Sequence, residues 1–469
     1  MTRPTTHAPP SRRRTDRRLR GLLLVLSGTM LIDALEVSTT VVALPAACAG
    51  LGLSPAAGQW LMSGFALGFG GLLLSGGRLV DLLGRRRVYL GALAGFAAAS
   101  LLCGLSPHAG PLIAGRIAKG LCVALTAPTG LAVIGAEFPE GPARDRALSV
   151  YSLVGAGGFC AGLPLSGLLT EASWRWTFLF PAPVAAGLLV LGALLIPPGG
   201  PRTVGGGRAA LASAGALAGG AGLTLLGIAR AGRGDWTSAA AALTFGVLLT
   251  AVFTGLERST TGPAVRRRVL ANRGLLRSAL GAAALNGPYW GLLFLLTFRL
   301  QAQPGWSPLL TAAALAPAAL PLALAAPRSG RLVSRFGARR LILAGALAPP
   351  AGYALYLANG SEPSYTRGVL PTLLLVGAGF VLQFTALHTQ ALAGVGGDDR
   401  PMTGAVYQTA VQLGGAAVLT LMAALLPAAP DPGDADAVRP ALVFLTVLSA
   451  AGPVIAATGN RRKEEHGRL

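Results

Sequence analysis

Apolar residues in this chain come in runs of about twenty or more, broken only by short polar stretches. A helix needs roughly 20 mostly apolar residues to cross a bilayer core, so each run is a predicted span. The first six fall near 21–44, 57–77, 88–106, 110–136, 147–170 and 175–197. Two more follow near 209–229 and 237–256, and the last six near 275–300, 308–327, 339–358, 368–393, 402–426 and 438–458. The first run needs separate treatment, because Arg12 to Arg20 before it and Ala43 to Ala49 at its end imitate a secretory signal with a cleavage site. The run is too long for a signal core and carries Asp33 and Glu36, so it reads as a retained span.

Composition supports the same picture. Of the 469 residues, 52% are hydrophobic and 12% charged, about half the charged share of an average soluble domain. Such a chain cannot cover a water-facing surface. The 66 Gly and 33 Pro fit helix packing and hinges within a membrane better than loops. Cys48, Cys103, Cys122 and Cys160 are widely spaced, which indicates neither a disulfide framework nor a metal site. The net charge of +21 would suit a nucleic-acid binder only if the basic residues shared a soluble face. Instead they sit beside the spans, so nucleic acid is not an expected partner.

Lys and Arg collect on the cytoplasmic side of membranes. With the N-terminus inside, 31 of the 39 basic residues fall in cytoplasmic segments, six in external ones and two within spans. Both termini are therefore expected in the cytoplasm. Trp60, Trp174, Trp176, Trp236 and Trp306 fall at external span ends, where amphipathic rings settle, and Trp290 is the exception.

The chain also repeats itself. Gly77 Arg78 Leu79 Val80 recurs as Gly330 Arg331 Leu332 Val333, an offset of 253 residues, and Gly84, Arg86 and Arg87 recur as Gly337, Arg339 and Arg340. Eight spans separate the two loops, so both face the same side and the halves are parallel repeats. The expected organisation is an all-α membrane protein with two six-helix bundles, 21–197 and 275–458, flanking a central pair in 198–274. Tails of residues 1–20 and 459–469 complete it.

The stretch Gly77 Arg78 Leu79 Val80 Asp81 Leu82 Leu83 Gly84 Arg85 Arg86 Arg87 resembles the signature of the major facilitator superfamily between its second and third spans. Glycines suit a tight turn, Asp81 can sit at a helix N-terminus, and arginines can clamp charges on the facing bundle. Gly77, Asp81, Gly84, Arg85, Arg86, Gly330, Gly337 and Arg340 are thus candidate gate residues. Arg116 Ile117 Ala118 Lys119 Gly120 is similar to the fourth-span motif. Trp174 Arg175 Trp176 with Phe178, the acid-to-Pro stretch Glu36 to Pro45, and Gln412 Leu413 Gly414 Gly415 are similar to the fourteen-span drug:proton antiporter branch. There are departures: Gly162 Leu163 Pro164 Leu165 Ser166 Gly167 shifts the Pro of the fifth-span motif and loses one Gly. Lys119 stands where Gln is frequent, Pro181 where Asn is, and Glu36 where Asp is usual. The resemblance implies a secondary transporter of the plasma membrane, not an enzyme, needing no cofactor because a proton gradient drives it. It implies a lipophilic or cationic small-molecule substrate and a monomer in the bilayer.

Asp33 and Glu36 in the first span and Arg116 and Lys119 in the fourth are the charges deep in the apolar runs. Each unpaired would cost about 3 kcal/mol at mid-membrane, so they are expected to meet. Each pair is spaced three residues apart, on one helix face. Burial favours a protonated carboxyl and a nearby cation a charged one, so a changing partner distance could move a proton on and off Glu36, with Asp33 as helper. A drug would compete for the same carboxylate. The alternative is a static buried pair that fixes helix packing. In the second half Asn286, Tyr289, Trp290, Gln383, His388, Gln408 and Gln412 are candidate cavity residues, each also readable as packing. Gly155, Gly157, Gly158 and Gly162 are expected to let the fifth span pack closely.

Neither Lys119 nor Lys463, the two lysines, ends a phosphate-binding loop, and His7, His108, His388 and His466 are scattered. ATP hydrolysis and metal catalysis are therefore not expected. A transporter of the same fold for a metabolite, peptide or anion, by proton symport and with Arg116 and Lys119 contacting the substrate, stays open, as does a sensor built on that fold.

Overall fold

The computed structural model describes residues 12–198, 207–259, 267–325, 329–359, 364–426 and 435–457. Most of the expected N-terminal tail and the C-terminal tail lie outside these residues. Among the described residues no strand occurs, and twelve helices are long and apolar enough to cross a membrane, with two shorter apolar helices, Pro308–Leu322 and Val438–Gly452. Together they match the fourteen predicted spans in order.

We number the long helices α1 to α14. The first six are α1 (Arg12–Leu51), α2 (Trp60–Leu83), α3 (Arg85–Gly104), α4 (Ala109–Glu137), α5 (Pro142–Ala172) and α6 (Pro181–Leu195). The central pair is α7 (Gly207–Ala231) and α8 (Trp236–Ser259). The last six are α9 (Arg273–Gln301), α10 (Pro308–Ala325), α11 (Ala338–Ala358), α12 (Leu370–Leu392), α13 (Arg400–Ala424) and α14 (Ala435–Ala457). Helices α1–α6 pack on one another, as do α9–α14, and the α7–α8 hairpin docks through α7 on α2 and α13. The two bundles meet where α5 packs on α10, α2 on α13 and α1 on α9.

Small residues set these approaches. On α5 a Cβ at Gly155 would press on Met30, at Gly158 on the Leu31 carbonyl and Ala34, and at Gly162 on Ser38, while Gly157 faces open space. Three of the four glycines thus seat α5 on α1, as expected for close packing.

The repeat is visible in backbone geometry. Gly84 (φ 85°) and Gly337 (φ 79°) both adopt a left-handed conformation that favours glycine, and each donates its N–H to a carbonyl four residues back, Val80 O and Val333 O, at 2.9 Å. Gly77 and Gly330 lie within helices and touch nothing a side chain would disturb, so the turn rests on Gly84 and Gly337 alone.

Arg78 reaches the central hairpin. It donates to both carboxylate oxygens of Glu257 on α8, at 3.0 and 2.7 Å, and Ser213 of α7 donates to the same carboxylate at 2.7 Å. A buried polar group left without its partner costs about 1–3 kcal/mol and a charged one more, and both Arg78 and Glu257 are largely buried. Glu257→Gln is therefore expected to lower the unfolding midpoint in nanodiscs, read by intrinsic fluorescence. An unchanged midpoint would mean the hairpin docks without this pair.

Candidate functional site

The interior of the first bundle holds all four charges that the sequence singles out. Two glycines make this possible. A Cβ at Gly68 would collide with the Ile117 carbonyl and one at Gly120 with the Phe65 carbonyl, so α2 and α4 cross backbone to backbone beside Lys119. Glu36, Arg116 and Lys119 are each at most 1% exposed, and Asp33 is 4% exposed. Arg116 Nη1 donates to Glu36 Oε1, and its Nε donates to the Leu61 carbonyl at 2.6 Å. Lys119 Nζ approaches Glu36 Oε2 at 2.5 Å, an ion pair outside hydrogen-bonding angles. Asp33 accepts from Thr126 Oγ1 at 2.7 Å, nearer the face that carries the basic loops.

Aromatic rings close the cluster. The guanidinium of Arg116 stands 4.7 Å from the Phe65 ring centre and 6.0 Å from that of Phe178, and the Lys119 ammonium 5.0 Å from that of Phe96. Desolvated cations gain from ring faces in this geometry. These rings come from α2, α3 and the short helix Trp174–Leu179 ahead of α6. The cluster thus points into its own bundle and not into the seam between bundles. Two acids and two bases cancel there, but Glu36 alone faces both cations.

At the 253-residue offset, Asp33 corresponds to Asn286 and Glu36 to Tyr289. The second bundle repeats the helix but not the charges. Asn286 Nδ2 donates to the Ala282 carbonyl of its own helix. Tyr289 and Trp290 belong to an aromatic group across the seam. Phe159 of α5 lies 6.5 Å from Tyr289 and 5.8 Å from Trp290, Tyr289 lies 4.6 Å from Phe380, and Phe380 stacks on Phe384 at 5.2 Å. Phe159, Trp290 and Phe384 are half-buried. Gly415 of α13 approaches Trp290, with Gln412 and Gln408 about one and two turns away on the same helix face. Gln408 Oε1 is buried without a hydrogen-bond partner.

Two of the expected cavity residues lie elsewhere. Gln383 packs against Gly345 and Gly452 inside the second bundle and donates to the Gly379 carbonyl. His388 is exposed at the basic-loop end, edge-on to Tyr407 at 5.4 Å. Phe159, Phe380 and Phe384 carry no distinguishing signal in the sequence, because a ring in an apolar run signals nothing beyond burial.

The gate residues are asymmetrically engaged. Asp81 and Arg340 are exposed. Arg85 donates to the Ala132 carbonyl and Arg86 to the Ala193 carbonyl, near helix C-termini of their own bundle, where the helix dipole favours cations. The expected clamp on the facing bundle is not made in this conformation. On the opposite face the bundles are tied directly: Gln301 donates to the Val42 carbonyl, Thr420 to Gln59 Oε1, and the Leu309 N–H to Glu171.

A buried charge cluster in one of two pseudo-repeated bundles, with a seam tied at one face, is the architecture of a membrane transporter. The chain belongs to the Major Facilitator Superfamily, whose family model matches residues 26–419. It is a multi-pass transporter and not an enzyme. It is 36% identical over 416 residues to the puromycin resistance protein of Streptomyces alboniger, covering 87% of this chain and 81% of the relative. It is 33% identical over 439 residues to the cephamycin export protein of Amycolatopsis lactamdurans, covering 90% and 89%. Its fold matches that of a POT family transporter solved with 5-aminolevulinic acid, with a TM-score of 0.66 at 14% identity, covering 94% and 95% of the two chains.

Proposed function

We propose that this protein exports antibiotic-like amphipathic small molecules from the cell, driven by protons moving inward, with Glu36 as the coupling group. The observation that carries this reading is a single carboxylate held between Arg116 and Lys119 in a bundle interior. Intramembrane charges are functional by default, and relatives named for antibiotic resistance and export support the class of cargo. The basic loops mark the cytoplasmic face of the plasma membrane, with both termini inside. The 21–197 and 275–458 bundles are the two rocking units, in a monomer.

Coupling runs through α1. Charged Glu36 pins α1 to α4. A proton on Glu36 weakens that attachment and frees α1, which carries Val42 of the outer closure and packs on α5, the helix of Phe159. Proton and drug therefore act on the same helix pair without sharing one carboxylate, because Glu36 is enclosed in this state. This replaces the direct competition that the sequence suggests. Asp33, one turn inward, supplies the next proton acceptor toward the cytoplasm.

The half-buried rings of Phe159, Trp290 and Phe384 offer π faces to planar or cationic cargo, with Gln408 and Gln412 as hydrogen-bonding groups. Trp290→Ala is expected to cut ethidium efflux from intact cells at least fivefold at equal expression. Unchanged efflux would remove the aromatic group from the cargo path. The outer ties, with Asp81 disengaged, support an inward-facing conformation.

A further inference from the structure

The α7–α8 hairpin is held to the two bundles in different ways. At the basic-loop end charge ties it to the first bundle: the Arg78 guanidinium of α2 donates to both carboxylate oxygens of Glu257 on α8, and Ser213 of α7 donates to the same carboxylate. Glu257 is 8% exposed, so this lock is shielded from water. Further along, a Cβ at Gly71 would fall 2.6 Å from the Ala218 Cβ, so α2 and α7 approach with only small residues between them. The polar lock and the close approach both belong to α2.

Against the second bundle the hairpin offers an apolar face. Leu225 of α7 is buried with Leu67 of α2 and Ala416 of α13, and Gly232, just past the end of α7, meets Ala424 at the end of α13. The hydrogen bonds that α13 makes across this seam go to the first bundle and not to the hairpin: Thr409 donates to the Gly70 carbonyl and Thr420 to Gln59 Oε1. The two attachments respond differently to movement. Parting Arg78 from Glu257 strands two buried charges. An apolar helix face in a bilayer exchanges protein contact for lipid contact at little cost, because lipid chains are as apolar as the side chains.

We infer that the hairpin is a strap fixed to the first bundle, which travels with α2 through the transport cycle while α13 slides along α7. When the outer face opens, α13 parts from the strap at Gly232. The strap covers the α2–α13 seam against lipid in both states, because it leaves with neither opening. This inference rests on the reading of the two bundles as rocking units and is independent of Glu36 as the coupling group.

The test is electron–electron distance measurement in nanodiscs between nitroxides placed in pairs on three exposed outer positions, after the four cysteines are replaced by alanine in a form that retains ethidium efflux. The positions are Thr237 on the hairpin, Leu105 at the end of α3 and Leu425 at the end of α13. Acidic pH without drug is compared with alkaline pH with ethidium. The Leu105–Leu425 distance is expected to change as the bundles rock, and the Thr237–Leu425 distance by at least half as much. The Thr237–Leu105 distance should change by less than a fifth as much. A Thr237–Leu105 change as large as the bundle-to-bundle change, or a constant Thr237–Leu425 distance, would overturn the strap while leaving rocking intact. A constant Leu105–Leu425 distance would overturn rocking and the strap with it. Glu257→Gln is expected to broaden the Thr237–Leu105 distribution at least twofold, and an unchanged width would overturn the assignment of the attachment to the charged lock. The comparison with native Glu257 stands even if that variant folds poorly.

Discussion

Glu36→Gln is expected to reduce proton-coupled export at least a hundredfold while the protein still inserts and purifies as a monodisperse species. The reason is arithmetic of charge in a closed space. Arg116 and Lys119 share this one carboxylate, and both are essentially without solvent exposure. A neutral amide can accept from Arg116 but cannot balance two cations, and breaking a buried pair by removing one partner costs about 3–5 kcal/mol. A loss of activity alone would leave a purely structural role standing. The double variant Glu36→Gln with Lys119→Gln separates the two, since it removes one cation along with the acid. The unfolding midpoint should recover toward the native value, yet export should stay lost because no group remains to carry the proton. Recovery of export together with stability would assign Glu36 to packing only.

The second large effect concerns a crossing with no charge in it. Gly120→Val should abolish accumulation of folded protein in the membrane. A Cβ at Gly120 has no space against the Phe65 carbonyl, and Gly68 meets Ile117 in the same way from the other helix. Overpacking a well-packed interior costs typically 1–3 kcal/mol when neighbours can move, and here the neighbour is backbone, so the upper end or beyond is expected. Separating α2 from α4 would also withdraw the Leu61 carbonyl from Arg116. The check is the fraction of protein surviving detergent extraction as a sharp size-exclusion peak, compared with Gly77→Val. A side chain at Gly77 meets nothing within 4 Å, so that variant should extract normally. Equal yields from both would contradict the crossing.

The fold was legible because a bilayer imposes a coarse rule. Roughly twenty apolar residues make a span, and this chain supplies fourteen such runs, each ending near the helix end found. The charged cluster was legible for the complementary reason, since Asp33, Glu36, Arg116 and Lys119 stand out against apolar neighbours at one-turn spacing. Which partner each takes was not. The Arg78 contact with Glu257 joins residues 179 apart in sequence, and Glu257 reads only as the polar edge of a span. Phe159, Phe380 and Phe384 are silent in sequence because aromatic rings in membrane helices serve packing and cargo alike. Gln383 and His388 show the converse: polarity in an apolar run marks them, but helix rotation turns the first into its own bundle and leaves the second exposed at the basic-loop end.

Asp81 and Glu171 illustrate what alternation adds. In this conformation Glu171 accepts from the Leu309 N–H at the start of α10 across the seam opposite the basic loops, while Asp81 at the other end of the same bundle is disengaged. Glu171 meets the N-terminus of α10, where the dipole favours a carboxylate, whereas Asp81 lies in the last turn of α2 and caps no helix, contrary to the N-terminal placement its sequence position suggests. A two-state rocker needs such ties at one face at a time, and a single conformation displays only half of them.

The central claim is that inward proton flow drives outward movement of amphipathic cargo through Glu36. Its most direct measurement is proton flux in energised inverted vesicles containing the native protein, followed with a pH-sensitive dye while lipophilic cations, neutral compounds and anions are added in turn. Release of protons on adding lipophilic cations, absent in Glu36→Gln vesicles at matched protein, is the expected result. Release unchanged in Glu36→Gln vesicles, or evoked by anions and not by cations, would contradict the account and shift substrate contact to Arg116 and Lys119.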